Sequence, residues 1–236
     1  MNPCQCLRTN VWYLLEFLTV VYNINMNTSA SFRFYVGIDE VGRGPIAGPV
    51  TLGAVLVPVD IVERFRLIKE SKQLSAKQRE LWVEKILLAE SFGVYARTHS
   101  VSASMIDRIG INRAIAYALK CALKKIPVGG SDCRVLLDGG LHAPKSYENQ
   151  ETIIHGDQKE VVIAMASVVA KVTRDRYMTS IGVRRYPKFG FSQHKGYGTR
   201  AHYDAIRQFG ITPLHRKSFM TRIQYDASAN LKNAIE

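Results

Sequence analysis

Four acidic residues stand where apolar or turn residues would ordinarily continue the pattern of the chain. Asp39 and Glu40 are adjacent and follow the apolar run "FYVGI", Asp138 ends the run "CRVLL", and Asp157 precedes the stretch "EVVIAMASVV". Carboxylates brought together raise one another's pKa unless a cation neutralises them. Their oxygen atoms favour Mg²⁺ or Mn²⁺, and two such ions are the usual arrangement for hydrolysing a phosphodiester.

Each acid also has a structural explanation. Asp157 could cap a helix, Asp138 could form a turn before two glycines, and Glu40 could form an ion pair with Arg43. Taken singly, Asp138 and Asp157 favour these structural roles. The adjacent Asp-Glu pair does not, because buried charge without a partner is costly. The pair therefore supports the prediction of a metal-dependent hydrolytic site.

The elements that must position these acids follow from hydrophobic periodicity and from Gly, Pro and capping residues. We predict strands over 33–41, 48–57, 91–101, 133–140 and 151–157. We predict helices over 60–69, from the N-cap Ser75 to about 89, over 104–126, from Gln158 with Asp157 as its N-cap, and after residue 200. This order indicates an α/β domain with a mixed sheet, in which strand ends and helix starts can converge.

The charge of the chain indicates a polyanionic partner. Its 236 residues carry a formal net charge of +12 and give a pI near 9.6, which suits nucleic acid or an anionic membrane surface. The hydrophobic share of 47% is that of a folded chain and excludes a disordered one. The cysteines lack the paired spacing of a zinc site, so we predict free thiols in the reducing cytoplasm for Cys4, Cys6, Cys121 and Cys133.

The first 33 residues differ in character from the rest. Their apolar run over residues 11–24 is interrupted by Glu16 and is short for a membrane span. No small-x-small cleavage site follows closely, as a signal peptide would require. We interpret residues 1–33 as an extension in preference to a membrane anchor. Alternatively, the working chain begins at Met26, and the residues before it are a leader translated from a misplaced start. We predict a main domain over 34–195 and a small C-terminal helical appendage over 196–236.

Five ordered blocks make the chain resemble the ribonuclease HII family. They extend from about Tyr35 to Phe219 and read "GIDEVGRGPIAGPV", "ESKQLS", "LLDGG", "GDQKEVVIAMASVVAKVTRD", and "FGFSQHKGYGT" with "HRKSF". The resemblance implies an RNase H-like α/β fold with a five-stranded mixed sheet flanked by helices. It also implies a monomeric endonuclease, not associated with a membrane, that cuts the RNA strand of RNA–DNA hybrids. The same enzyme is expected to cut 5′ of ribonucleotides embedded in duplex DNA, leaving 3′-hydroxyl and 5′-phosphate ends.

The same resemblance assigns roles to individual residues. The catalytic, metal-binding acids map to Asp39, Glu40, Asp138 and Asp157, which are expected to hold two Mg²⁺ or Mn²⁺ ions. The main chain of Gly42, Arg43 and Gly44 is expected to touch the 2′-hydroxyl, by which proteins tell RNA from DNA. Tyr197 is expected to stack on the sugar of the next deoxynucleotide. The implied phosphate contacts are Arg43, Lys72, Lys195 and, more weakly, His194.

Other interpretations stay open. Lys171 and Arg174 either extend the nucleic-acid surface or lie on a solvated helix face, and we interpret as structural the histidines without metal-ligand spacing, His142, His155, His202 and His215. A different RNase H-like nuclease would use the same acids without needing the glycine turn or Tyr197. A basic nucleic-acid-binding module would bind without hydrolysis and would leave the four acids unexplained.

Overall fold

One mixed sheet forms the centre of the computed structural model, which describes residues 32–220. Its strands are β1 (Phe34–Val41), β2 (Val50–Pro58), β3 (Tyr95–Val101), β4 (Cys133–Asp138) and β5 (Gln150–Ile153). They lie side by side in the order β3-β2-β1-β4-β5. β2 runs antiparallel to β1 and β3, whereas β4 runs parallel to β1 and β5. The predicted five-stranded mixed sheet is confirmed.

Helices cover both faces of this sheet. They are α1 (Ala76–Leu88), α2 (Ala103–Ile109), α3 (Ile111–Leu123), α4 (Gly156–Lys159), α5 (Val161–Arg185), α6 (Phe191–His194) and α7 (Arg200–Phe209), with 3₁₀ turns at Val59–Phe65, Ala89–Phe92, Gly130–Asp132, Pro187–Phe189 and Lys217–Phe219. α1 starts where predicted. The Gln78 N–H donates to the Ser75 hydroxyl at 3.3 Å, and the Ser75 N–H donates to the Gln78 side chain at 2.8 Å. This reciprocal cap satisfies two N–H groups that the helix end would leave unpaired.

Apolar side chains pack on both faces of the sheet and give three layers. On one face α2 and α3 cover the strands through a cluster that includes Ile38 and Leu119, and on the other α1 and α5 do so through one that includes Val55 and Ile86. These four side chains are at most 2% exposed, and burial of each contributes about 1.5–3 kcal/mol. Helices packed on both faces therefore support the strand ends that carry the acids.

α5 approaches the sheet closely because glycines face it. A Cβ atom on Gly37 of β1 would overlap the backbone carbonyl of Val162, and one on Gly53 of β2 would overlap the carbonyl of Ala166. Two positions without side chains allow helix backbone to pack directly on strand backbone. As a result, the first turns of α5 reach the end of β1 where the adjacent acids lie.

The prediction of one helix over 104–126 is wrong. Gly110 takes φ 81° and ψ 154°, which ends α2 and begins α3. The apolar spacing of the side chains continues across this residue, so periodicity alone did not reveal the break. The break brings the start of α3, at Asn112, beside Arg43 in the loop after β1.

The predicted N-cap role of Asp157 is also wrong. Asp157 lies inside the short α4, and α5 begins at Val161 after Glu160. The chain turns into α4 through His155, whose φ of 55° is left-handed. Asp157 is therefore placed for contacts with other side chains instead of capping α5.

A third apolar cluster attaches the C-terminal appendage. Ile206 of α7 packs with Met178, Phe189 and Phe191, and each of these side chains is at most 1% exposed. A small helical appendage is thus present, while its boundary at residue 195 stays a prediction. The predictions for residues 1–31 and for the tail after residue 220 fall outside the described residues. Over residues 32–220, no helix combines the length and apolar character needed to cross a bilayer.

Acid should weaken the appendage through two buried histidines. The Nε2 atoms of His202 and His215 lie 3.1 Å apart, and burial lowers the pKa of His202 to about 4 and that of His215 to about 3. A histidine in the unfolded chain takes its proton near pH 6.5. The unfolded state therefore binds more protons below that pH, and stability present above pH 6.5 is lost as pH falls towards the folded-state values.

We expect His215→Gln to flatten this pH dependence. Each histidine contributes up to about 1.4 kcal/mol per pH unit to the free energy of unfolding. Urea titrations of the wild type and of His215→Gln between pH 7 and pH 5 would measure how the free energy of unfolding of each depends on pH. The difference between the two curves cancels groups that titrate alike in both. Parallel curves would contradict the prediction.

Candidate active site

Parallel pairing of β1 and β4 brings the first two acidic positions together. Ile38 lies opposite Leu137 in the register of these neighbouring strands, so the next residues along each, Asp39 and Asp138, end side by side. Both strands end at the same edge of the sheet, as parallel neighbours must. Asp157 reaches this edge from α4, directly after β5.

Asp39 is a buried carboxyl with a raised pKa. It is 6% exposed and accepts a hydrogen bond at 2.7 Å from the Glu40 N–H. Burial is the main cause that raises its pKa to about 8; a hydrogen bond with Ser167 opposes the shift, and the charges of Glu40 and Asp138 add to it. Without a cation beside it, Asp39 therefore holds a proton at neutral pH. The Ser167 hydroxyl is in turn 2.9 Å from that of Ser71.

Glu40 has one oxygen engaged and one unsatisfied. The Arg43 guanidinium donates to its Oε1 at 3.4 Å, which confirms the ion pair considered from the sequence. Its Oε2 is buried and has no hydrogen-bond partner. Burial raises the pKa of Glu40, while Arg43 opposes that rise. A buried oxygen without a donor is costly, and a bound cation would relieve that cost.

The other two acids are linked through backbone and side-chain contacts. The Gly156 N–H donates to Asp138 Oδ1 at 2.7 Å. Burial raises the pKa of Asp157, and the charges of Asp138 and Glu70 raise it further. The carboxyls of Asp157 and Glu70 share a hydrogen bond, and the Gln158 and Gln73 side chains donate to Glu70 at 3.3 and 2.8 Å. Glu70 was not among the predicted site residues; its position at the start of "ESKQLS" was the available signal.

The donor set fits a hard divalent cation. Four carboxyls lie at the same end of the sheet, burial and mutual repulsion raise the pKa values of Asp39 and Asp157, and one buried oxygen of Glu40 lacks any donor. Such oxygen-only sets suit Mg²⁺ or Mn²⁺. Nevertheless, residues 32–220 contain no group of three or more His, Cys, Asp or Glu side chains already arranged around one point. The Asp39 and Asp138 carboxyls instead each accept a backbone N–H.

The glycine loop lies directly beside the acids. Gly42 has φ 93°, and a Cβ atom there would overlap the Arg174 side chain. Gly44 is exposed, and a Cβ atom there would meet no heavy atom within 4 Å. Between them, the Arg43 side chain is 55% exposed and donates at 2.8 Å to Oδ1 of Asn112. Asn112 is a second residue that the sequence analysis missed, because its partner lies 69 positions away.

The lysines predicted to contact phosphate differ in the accessibility of their ammonium groups. Lys72 is exposed and close enough to Asp157 and Glu70 to lower both of their pKa values. The Lys195 ammonium instead donates to Thr179 Oγ1 at 2.7 Å and to the carbonyl of Ser192. Lys72 is therefore the more accessible of the two ammonium groups.

His194 and Tyr197 have opposite environments. One His194 ring nitrogen lies 2.7 Å from the carbonyl oxygen of Phe189, and the other accepts from the Gly196 N–H at 3.1 Å. With both nitrogens engaged by backbone, His194 shapes the loop, and its phosphate contact stays a prediction. The Tyr197 side chain, on the loop between α6 and α7, is 45% exposed.

The surface placement considered for Arg174 is wrong. Arg174 is completely buried, because α5 packs against the sheet on one side and against the C-terminal appendage on the other. Lys171 forms an ion pair with Asp175 at 3.0 Å. Neither residue adds a free cation to the surface around the acids.

Comparison with known proteins agrees with this fold. A family model described as Ribonuclease HII matches residues 36–226. A Ribonuclease HII of Coxiella burnetii (strain Dugway 5J108-111) is 44% identical over 183 residues, which is 78% of this chain and 86% of the relative. Among solved structures, the ribonuclease H2 from Pyrococcus horikoshii OT3 has a TM-score of 0.63 at 24% identity, over 78% of this chain and 93% of that one.

A second solved structure shares the fold. Bst-RNase HIII in complex with Mn²⁺ has a TM-score of 0.61 at 21% identity, over 87% of this chain and 70% of that one. These two likenesses show a common architecture. The family model and the relative, by their coverage and identity, show that the chain belongs to the ribonuclease HII family of hydrolytic enzymes.

Proposed function

We propose that this protein hydrolyses the RNA strand of RNA–DNA hybrids and cuts 5′ of ribonucleotides embedded in duplex DNA, leaving 3′-hydroxyl and 5′-phosphate ends. Membership of the ribonuclease HII family supports ribonuclease H activity. The observation that carries the finer proposal is that one loop joins both parts of the task. Only three residues separate the buried Asp39 and the partly buried Glu40 from the open backbone at Gly44.

Asp39, Glu40, Asp138 and Asp157 would hold two divalent ions, Mg²⁺ or Mn²⁺. The complex of Bst-RNase HIII with Mn²⁺ supports this choice. When bound, the ions would lower the pKa of an attacking water and stabilise the leaving oxygen. Before metal binds, burial raises the pKa of Asp39 to about 8. A cation beside the carboxyl would lower this pKa and release the proton, so that Asp39 could bind the ion as a carboxylate.

The glycine loop would read the sugar. The 2′-hydroxyl is the group that differs between RNA and DNA, so a reader must bring polar backbone groups within hydrogen-bond distance of it. Gly44 leaves open space where any other residue would place a side chain. Arg43 is fixed between Glu40 and Asn112, which links the loop to the acids on one side and to α3 on the other.

Phosphate contacts would hold the duplex in register. Arg43, beside Glu40, and Lys72, near Asp157, present exposed cations next to the acids. Such contacts carry no sequence information, and binding through them weakens steeply with salt. We also propose that the protein is a monomer and that it acts in the cytoplasm, a reducing compartment that suits the free thiols of Cys121 and Cys133 among the residues described.

The test is a cleavage assay on three matched duplexes in Mg²⁺ and in Mn²⁺, with the product ends mapped. One duplex contains a single ribonucleotide, one is an RNA–DNA hybrid, and one is all DNA. The proposal expects cleavage of the first two only, with 3′-hydroxyl and 5′-phosphate ends. Cleavage of the all-DNA duplex would favour a different RNase H-like nuclease, and binding without cleavage would favour a nucleic-acid-binding module.

Tyr197→Ala should reduce the preference for a ribonucleotide followed by a deoxynucleotide. The side chain is exposed on the loop between α6 and α7, and aromatic stacking is worth about 1–3 kcal/mol per contact. We therefore expect kcat/KM on the single-ribonucleotide duplex to fall by roughly tenfold or more, with a smaller fall on the hybrid.

Tyr177→Ala is the matched control for this prediction. Tyr177 lies on α5 and is 44% exposed, which is close to the exposure of Tyr197. The control should retain both activities. An equal loss on both substrates in Tyr197→Ala would contradict the stacking role.

A further inference from the structure

Two arginines are buried without an acidic partner. Arg174 and Arg216 are both 0% exposed, and neither forms an ion pair with any acid in residues 32–220. Burying a charge is expensive unless hydrogen bonds compensate for the lost water. The side chains that fill such positions in a core are ordinarily apolar, so these two arginines require a specific explanation.

Backbone carbonyls surround both guanidinium groups. Arg216 donates through Nε, Nη1 and Nη2 to the carbonyls of Gly48, Arg43 and Gly42, at 2.9, 3.0 and 2.7 Å. Arg174 donates through its three nitrogens to the carbonyls of Pro49, Lys195 and Ala47, at 2.8, 2.9 and 3.2 Å. Five of the six acceptors belong to the loop between β1 and β2, and the sixth begins the loop that carries Tyr197.

The contacts of Arg216 fix the direction of two N–H groups. A trans peptide holds its C=O and its N–H on opposite sides, and residues 32–220 contain no cis peptide. The carbonyls of Gly42 and Arg43 point to the buried guanidinium, so the N–H groups of Arg43 and Gly44 point away from it. Both residues are exposed, and neither N–H has an acceptor in the described structure.

Arg174 joins this loop to the second one. It comes from α5, and its guanidinium holds the carbonyls of Ala47 and Lys195 together. A direct backbone bond from the Ala47 N–H to the Gly196 carbonyl at 3.1 Å completes the link. The backbone that carries the exposed Tyr197 side chain is therefore tied to the glycine loop.

We propose that Arg174 and Arg216 are positioning residues that bind the glycine loop and the Tyr197 loop into one rigid reader of the ribonucleotide. Arg216 aims the Arg43 and Gly44 N–H groups at the sugar, and Arg174 sets the distance from them to Tyr197. This role rests on the proposed function. A lysine would keep the charge but not the planar fork that bridges three carbonyls.

The test compares Arg216→Lys and Arg174→Lys with the wild type. A duplex with a single ribonucleotide can be cut in only one binding register, so it should be the substrate most sensitive to loosened loops. Its kcat/KM should fall by about tenfold. An RNA–DNA hybrid offers a ribonucleotide at every position, and its kcat/KM should fall by about threefold or less. Calorimetric affinity for Mn²⁺ should be unchanged, because the acids keep their own contacts.

Arg176→Lys is the control. Arg176 is on the same helix, its side chain is 62% exposed, and it pairs with Glu80; the variant should behave as wild type on both substrates. Equal fractional losses on the two duplexes, unchanged selectivity, or failure of both lysine variants to fold would overturn the positioning role. Absence of cleavage by the wild type would instead overturn the proposed function, so the two failures are distinguishable.

Discussion

Asp39→Asn is expected to abolish metal-dependent cleavage while the fold is retained. The carboxylate lies beside Glu40 and Asp138 at the shared edge of β1 and β4, and the amide that replaces it is neutral. The charge stabilisation supplied by bound metal is worth several kcal/mol. We therefore expect turnover to fall by roughly a thousandfold or more. Single-turnover assays in Mg²⁺ would measure the loss, and Asp138→Asn should show the same.

The same substitution should stabilise the metal-free protein at alkaline pH. The pKa of Asp39 is about 8 in the folded chain and near 3.8 in the unfolded one. The folded state therefore binds the extra proton between these values, and the free energy of unfolding of the wild type falls as pH rises through this window. An asparagine resembles the protonated acid and avoids this loss. The free energy of unfolding of Asp39→Asn should exceed that of the wild type by an amount that grows as pH rises to 8 and reaches about a few kcal/mol.

Chemical denaturation of the wild type and of Asp39→Asn in a chelator at pH 5 and pH 8 would measure this gain in stability, which accompanies the loss of turnover. Asp204→Asn is the matched control, because Asp204 is on the surface and pairs with Arg207 at 2.6 Å. The control should change neither turnover nor the pH dependence. Near wild-type turnover in Asp39→Asn or Asp138→Asn would refute the assignment of the acids.

Gly44→Ala is expected to damage ribonucleotide recognition without damaging the fold. A methyl group there meets no protein atom within 4 Å, so the free energy of unfolding should change by less than about 0.5 kcal/mol. The methyl would occupy the space through which a sugar approaches the loop. We expect kcat/KM on the single-ribonucleotide duplex to fall by about tenfold to a hundredfold, since a displaced contact in the reacting geometry costs that much.

Gly129→Ala provides the control, and Gly42→Ala the contrast. Gly129 also has open space around it and an ordinary φ of −79°, and it is remote from the acids, so its variant should be unaffected. Gly42 has φ 93° and no room beside Arg174; its variant should lose stability and cannot separate recognition from folding. Wild-type kinetics in Gly44→Ala, or an accompanying loss of Mn²⁺ affinity, would show that the loop does not read the sugar.

Features that depend on neighbouring residues could be predicted from the sequence. The strands around Asp39 and Asp138 follow from short apolar runs, and the start of α1 follows from Ser75 as its N-cap. The five ordered blocks also pointed to the ribonuclease HII family, which the family model confirms. Each of these signals lies within a few residues or in the order of short motifs.

Features that depend on residues far apart in the chain became visible only in the folded protein. Gly110 breaks a helix whose periodicity continues, and Asn112 then reaches Arg43 across 69 positions. Arg216 reaches Gly42 across 174 positions. A local pattern records how often side chains recur, but it does not record which distant carbonyl will need a donor once water is excluded. The sequence therefore located the acids, while packing alone revealed the two buried arginines that hold the loops beside them.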